Sequence, residues 1–134
     1  MYPLALFYLQ RTTVIISLDT ETTGVDFAHG AKPFLVTTCC DQGVVRFWEW
    51  AVDPYTREPE IPDGDLRDIA ELLDAADTVY LQNAKFDCRA LLAVGIALPW
   101  EKVRDTLAMG HLLASNHPHD LAMVGARPCR HSFR

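Results

Sequence analysis

Val14-Ile15-Ile16-Ser17-Leu18-Asp19-Thr20-Glu21 is a β-branched, almost continuously apolar run that closes on two acids one residue apart. Such a run reads as a central strand of a sheet covered on both faces, and Thr22-Thr23-Gly24 breaks it. Successive strand side chains point to opposite faces, so Asp19 and Glu21 project from the same side, roughly 6 to 7 Å apart. Two carboxylates at the end of a buried strand repel each other unless protons or cations neutralise them. Hard oxygen ligands at that spacing suit Mg²⁺ or Mn²⁺. The stretch therefore predicts a metal site as well as a strand.

Working outward, residues 33–40 and 44–52 are two further strand-like runs. Asp41-Gln42-Gly43 between them is a tight turn that pairs them as an antiparallel hairpin. Pro54, Pro59 and Pro62 mark residues 53–63 as a loop. Residues 64–76 then repeat apolar side chains at Leu66, Ile69, Ala70, Leu72 and Leu73, the spacing of an amphipathic helix. A short strand follows at 78–82, and a second helix at 85–94 ends at Gly95, a C-cap residue. Asp105 reads as the N-cap of a third helix through about Ser115. A three-strand meander followed by helix, strand and helix implies an α/β or α+β domain with a mixed sheet.

With 134 residues, of which 49% are hydrophobic, the chain holds enough for one domain core and too little for two. No apolar stretch reaches the roughly 18 to 20 residues needed to span a bilayer, because Gln10, Arg11 and Asp19 interrupt the one long candidate. The apolar start at residues 1–9 lacks the positive charge and small-residue cleavage site of a secretory signal. Cys39, Cys40, Cys88 and Cys129 form no C-x-x-C pair and no zinc-like spacing, so reduced thiols and a cytoplasmic setting are expected. A net charge of −6 argues against holding nucleic acid by bulk electrostatics alone. It does not exclude a nuclease, whose bound cations supply local positive charge. Arg127, Arg130 and Arg134 stand without an acid among residues 125–134, which read as an unstructured basic tail after a domain at 1–124.

Asn83-Ala84-Lys85-Phe86-Asp87 follows the second buried strand and opens a helix, a junction where α/β sheets collect functional groups. If that strand lies beside residues 14–21, Asp87 supplies a third oxygen ligand next to Asp19 and Glu21. Here the residues resemble a known family. The segment from Ser17 to Gly24 is similar to the first motif of the DEDD 3′→5′ exonucleases. The segment from Asn83 to Leu92, with Gly95-Ile96, is similar to the second. Together with Asp105-Thr106-Leu107-Ala108-Met109-Gly110-His111-Leu112-Leu113, the second motif most resembles the proofreading domain of family A DNA polymerases, the polymerase I type.

The resemblance runs from about Val14 to Leu121 and implies an RNase H-like fold with two Mg²⁺ or Mn²⁺ ions held by four acids. It implies that Asp19, Glu21 and Asp87 are catalytic metal ligands and that Thr20, Thr22, Asn83 and Phe86 lie near the terminal nucleotide. The implied substrate is a single-stranded DNA 3′ end, with RNA as the alternative, and the implied partner is a polymerase domain in the parent protein. The family's third motif, Tyr-x-x-x-Asp, is missing. No Tyr or His is followed four residues later by Asp after Asp87. A C-terminally incomplete domain with weak or no activity is therefore expected. An RNase D-like ribonuclease and a non-catalytic binding module stay open as alternatives.

Other features have plainer readings. An N-cap role explains Asp105 more simply than service as the missing acid. His117 and His119 flank Pro118 and read as a solvent loop rather than a metal-binding H-x-H. The alternation of a half-buried strand accounts for Phe47-Trp48-Glu49-Trp50 without invoking base stacking. Lys85 and Arg89 are equally consistent with a phosphate contact and with a solvated helix face.

Overall fold

The computed structural model describes residues 12–122. The basic segment at 125–134, the apolar start at 1–9 and Cys129 lie outside the described residues. Five strands form one mixed sheet in the order β3-β2-β1-β4-β5: β1 (Ile15–Thr22), β2 (Pro33–Cys40), β3 (Val45–Glu49), β4 (Thr78–Leu81) and β5 (Val103–Asp105). The first three are the expected antiparallel meander, with Asp19 opposite Thr37 and Glu21 opposite Leu35. β4 lies parallel to β1, as the crossover rule requires, and β5 lies parallel to β4. The fifth strand was not expected: three residues behind Pro99 are too few to show a period of two.

The described residues also form three α-helices: α1 (Asp63–Ala75), α2 (Ala84–Ala93) and α3 (Thr106–Leu113). Asp63 and Asp65 sit in the first turn of α1, where carboxylates oppose the positive helix end. Asp65 also accepts the indole N–H of Trp50 at 2.8 Å, tying the end of the hairpin to the helix. α2 ends as a Schellman motif. Gly95, at φ +86°, donates to the Leu92 carbonyl, and Ile96 reaches back to the carbonyl of Leu91, with both apolar side chains in the core.

The core lies on one side of the sheet. Ile16, Leu18, Val36, Val79 and Leu81 are buried there against Ile69 and Leu73 of α1 and Leu91 of α2. Ser17, Asp19 and Glu21, on the other side of β1, are exposed. The expectation of a strand covered on both faces is thus corrected: among the described residues β1 is covered on one. The same alternation runs through β3, where Trp48 is buried and Phe47 is 66% exposed. His119 also departs from the solvent-loop reading. It is buried, its ring lies 3.7 Å from that of His111, and its carbonyl accepts from the Gln82 side chain at 2.8 Å, whereas His117 is exposed. No described helix is long and apolar enough to cross a membrane.

Candidate active site

The alternation of β1 turns Thr20 inward between two outward-facing acids, and Asp87 meets it from α2. One oxygen of the Asp87 carboxylate accepts the Thr20 hydroxyl at 2.7 Å and the Thr20 backbone N–H at 3.1 Å. Asp87 is only 2% exposed. Burial pushes its carboxyl up to about 6. The Thr20 hydroxyl and N–H act against that rise, while the charges of Asp19 and Asp105 add to it. Asp19 is therefore close enough to Asp87 for the two charges to repel.

Three local features deliver Asp87 to this place. Asn83 takes the left-handed conformation, φ 64° and ψ 59°, and turns the chain sharply out of β4 into α2. The Asp105 carboxylate then accepts the N–H groups of Asn83 and Ala84, each at 3.0 Å, and that of Leu107 at 2.9 Å. It satisfies the open amides of two helices at once, holding the start of α2 while capping α3. Finally, the Phe86 ring meets Phe27 edge-on, with centroids 5.3 Å apart, so the 3-10 turn Phe27–His29 buttresses the first turn of α2.

Among the other residues expected near a substrate, the Thr22 hydroxyl donates to the Gly24 carbonyl at 2.7 Å and shapes the turn after β1. Asn83 is exposed, Phe86 is half-buried, and Glu21 is exposed beyond Thr20. A cleft of about 370 Å³ opens on the uncovered face of the sheet and is lined by Asp19, Ser17, Thr37, Tyr80 and Gln82. The described residues contain no group of three or more His, Cys, Asp or Glu placed to hold a metal ion, so Asp19, Glu21 and Asp87 are not brought together as one such group. The Asp19 and Asp87 pair nevertheless fits Mg²⁺, which is commonly held by one or two carboxylates together with waters and substrate phosphate. Sequence reasoning missed the inward role of Thr20 as the residue that fixes Asp87, although the alternation of β1 carried that signal.

No protein-family model and no curated protein sequence matches the chain. Solved structures do. Brucella melitensis NrnC bound to pGG is 18% identical with a TM-score of 0.67, over 90% of this chain and 54% of that one. The POL domain of Pol1 from M. smegmatis, in complex with DNA primer-template and dNTP, is 15% identical with a TM-score of 0.64, over 92% of this chain and 20% of that one. The Neurospora crassa Pan2 catalytic unit, comprising protease and nuclease domains, is 14% identical with a TM-score of 0.58, over 93% of this chain and 24% of that one. The chain has the RNase H-like α/β fold of DEDD-type nucleases, as its motifs implied, and spans about half the length of the NrnC chains it matches.

Proposed function

We propose that this chain is the metal-binding part of a 3′→5′ exonuclease of the DEDD type that acts on the single-stranded 3′ end of DNA. The observation that carries the reading is the seating of Asp87 on Thr20: the acid of the second motif is fixed against the residue between the two acids of the first. The likeness of the second motif to polymerase proofreading domains supports DNA and a polymerase domain as partner. A structure of the similar NrnC is described with bound Mg²⁺. When bound, Mg²⁺ or Mn²⁺ supplies a nucleophilic water and stabilises the leaving oxygen at the terminal phosphodiester, with two ions in the complete family site.

The chain's own groups do the rest. Asp19 and Asp87 offer the oxygen ligands, and Glu21 stands two residues beyond Asp19 on β1. Thr20 holds Asp87 with two donors and so favours its charged, ligating form. The turn at Asn83 and the ring of Phe86 border the place where a terminal nucleotide enters. A paired end must open before its last base can reach such a site, so unpaired ends are preferred.

The test has a binding arm and a product arm. Mn²⁺ should bind the 134-residue chain, as read by electron paramagnetic resonance, compete with Mg²⁺, and bind more weakly in both Asp19→Ala and Asp87→Asn. Matched 5′-labelled DNA and RNA oligonucleotides should be shortened one nucleotide at a time from the 3′ end. Shortening is expected to be slow, because no Tyr-x-x-x-Asp follows Asp87, and each 1.36 kcal/mol of lost transition-state stabilisation is tenfold in rate. Unchanged Mn²⁺ affinity in both variants overturns the reading, and faster shortening of RNA than of DNA moves the substrate to RNA.

A further inference from the structure

The outer face of α2, turned away from Asp87, carries Lys85, Arg89 and Leu92 at the spacing of four and three that makes one helical stripe. Both cations are exposed in a chain of net charge −6, and among the described residues neither side chain has an ion pair or hydrogen bond. Trp100, 60% exposed, faces this stripe across a cleft of about 440 Å³ floored by Cys88 and Leu98. Arg89 and Leu92 also line a second cleft, of about 310 Å³, together with Phe27 and Ala28. Phe27 touches Phe86, the neighbour of Asp87. A continuous run of surface thus leads from the candidate active site along α2 to Trp100.

We infer that this groove is a second binding site, for the single-stranded nucleic acid that trails the terminal nucleotide, with Lys85 and Arg89 on its phosphates and Trp100 under one of its bases. Two cations one helical turn apart beside an exposed aromatic ring combine the two contacts that hold single strands without reading sequence. An apolar peptide is a poorer occupant, because seating it would strip water from two cations and offer them no partner. This inference rests on the nuclease reading for the direction of the strand, but its chemistry is separate from the carboxylates.

Trp100 supplies its own probe, because Trp48 and Trp50 are 8% and 5% exposed, so the emission of the exposed tryptophan belongs to Trp100. In EDTA, which keeps metal from the carboxylates, a thymidine oligonucleotide of about 12 residues should quench that emission saturably, whereas the dinucleotide should not. Trp100→Leu should weaken binding of the longer strand about tenfold, as read by anisotropy, and Trp100→Phe should recover most of the loss. Lys85→Gln with Arg89→Gln, conservative on an exposed helix face, should reduce the slope of log affinity against log salt by about 1.4. Equal affinity for long and short strands, unchanged binding in all three variants, or the same quench from base-free polyphosphate each overturns the proposal. If metal binding needs Asp19 and Asp87 while the groove variants change nothing, the groove alone is wrong. The reverse pattern removes the nuclease reading and leaves the groove.

Discussion

Thr20 and Asp87 are 67 residues apart in the chain, yet the threonine gives both its hydroxyl and its backbone N–H to one carboxylate oxygen of the aspartate. That pairing joins β1 to α2 at the point where both motifs carry their acids. It also explains why a small hydroxylated residue suits the position between Asp19 and Glu21. Its neighbours face outward, and the inward position must hold a buried carboxylate with donors rather than fill a core.

Replacing Thr20 by Val keeps the shape and removes the hydroxyl, leaving Asp87 with one donor fewer. Losing a hydrogen bond to a buried charged group should cost about 1 to 3 kcal/mol, measured by urea unfolding at pH 7. Thr20→Ser should restore most of it. Equal stability of the Val variant would show that the carboxylate does not depend on this hydroxyl.

Asp87 also gives the metal-free protein a pH dependence of definite sign. Its folded value, near 6, lies above the ordinary 3.8. The folded state therefore holds a proton that the unfolded chain has released, and the stabilisation is full below about pH 4 and lost as pH rises through 6. Asp87→Asn keeps an acceptor for Thr20 and carries no titrating charge. In EDTA the wild type should lose a few kcal/mol relative to this variant between pH 4 and pH 7, at about 1.36 kcal/mol for each pH unit that separates the folded and unfolded values. Parallel stability curves for the two proteins would show that folding does not raise the Asp87 carboxyl above its unfolded value.

Much of this arrangement was legible in the sequence because it rests on local rules. The bounds of β2 follow from its apolar run and the Asp41-Gln42-Gly43 turn, and α1 follows from its helical spacing. The parallel placement of β4 beside β1 follows from chain handedness and brings Asp87 to Asp19. What was not legible depends on contacts that periodicity does not encode. β5 is too short to show a pattern, and His119 is buried by His111, eight positions earlier. The open face of β1 is masked in the sequence because Val14 and Ile15 open an apolar run in which the exposed positions Ser17, Asp19 and Glu21 alternate with the buried Ile16, Leu18 and Thr20.

Asn83 is held at φ 64°, where a side chain with a branched Cβ clashes with the following carbonyl. Asn83→Gly should be tolerated within about 0.5 kcal/mol, and Asn83→Val should cost about 1 to 2 kcal/mol. Hydrogen exchange of the first turn of α2 should quicken in the Val variant. A Val variant as stable as the Gly variant would mean that the junction can form in another conformation.

Asp105 is the position where one substitution should disturb two helices. Its carboxylate accepts N–H groups from Asn83, Ala84 and Leu107, so Asp105→Ala leaves the starts of α2 and α3 uncapped together. One lost cap costs about 1 kcal/mol, and two should approach about 2 kcal/mol in a urea titration. Asp105→Asn keeps an acceptor oxygen at the same reach and should recover part of the loss. The effect on Asp87 runs the other way, because the charge of Asp105 helps to raise its carboxyl and either substitution should lower the apparent value. A variant that loses stability while the Asp87 titration, followed by carboxyl NMR, moves downward satisfies both expectations. A loss confined to α3, with the amides of Asn83 and Ala84 still protected, would show that α2 keeps its place without the aspartate.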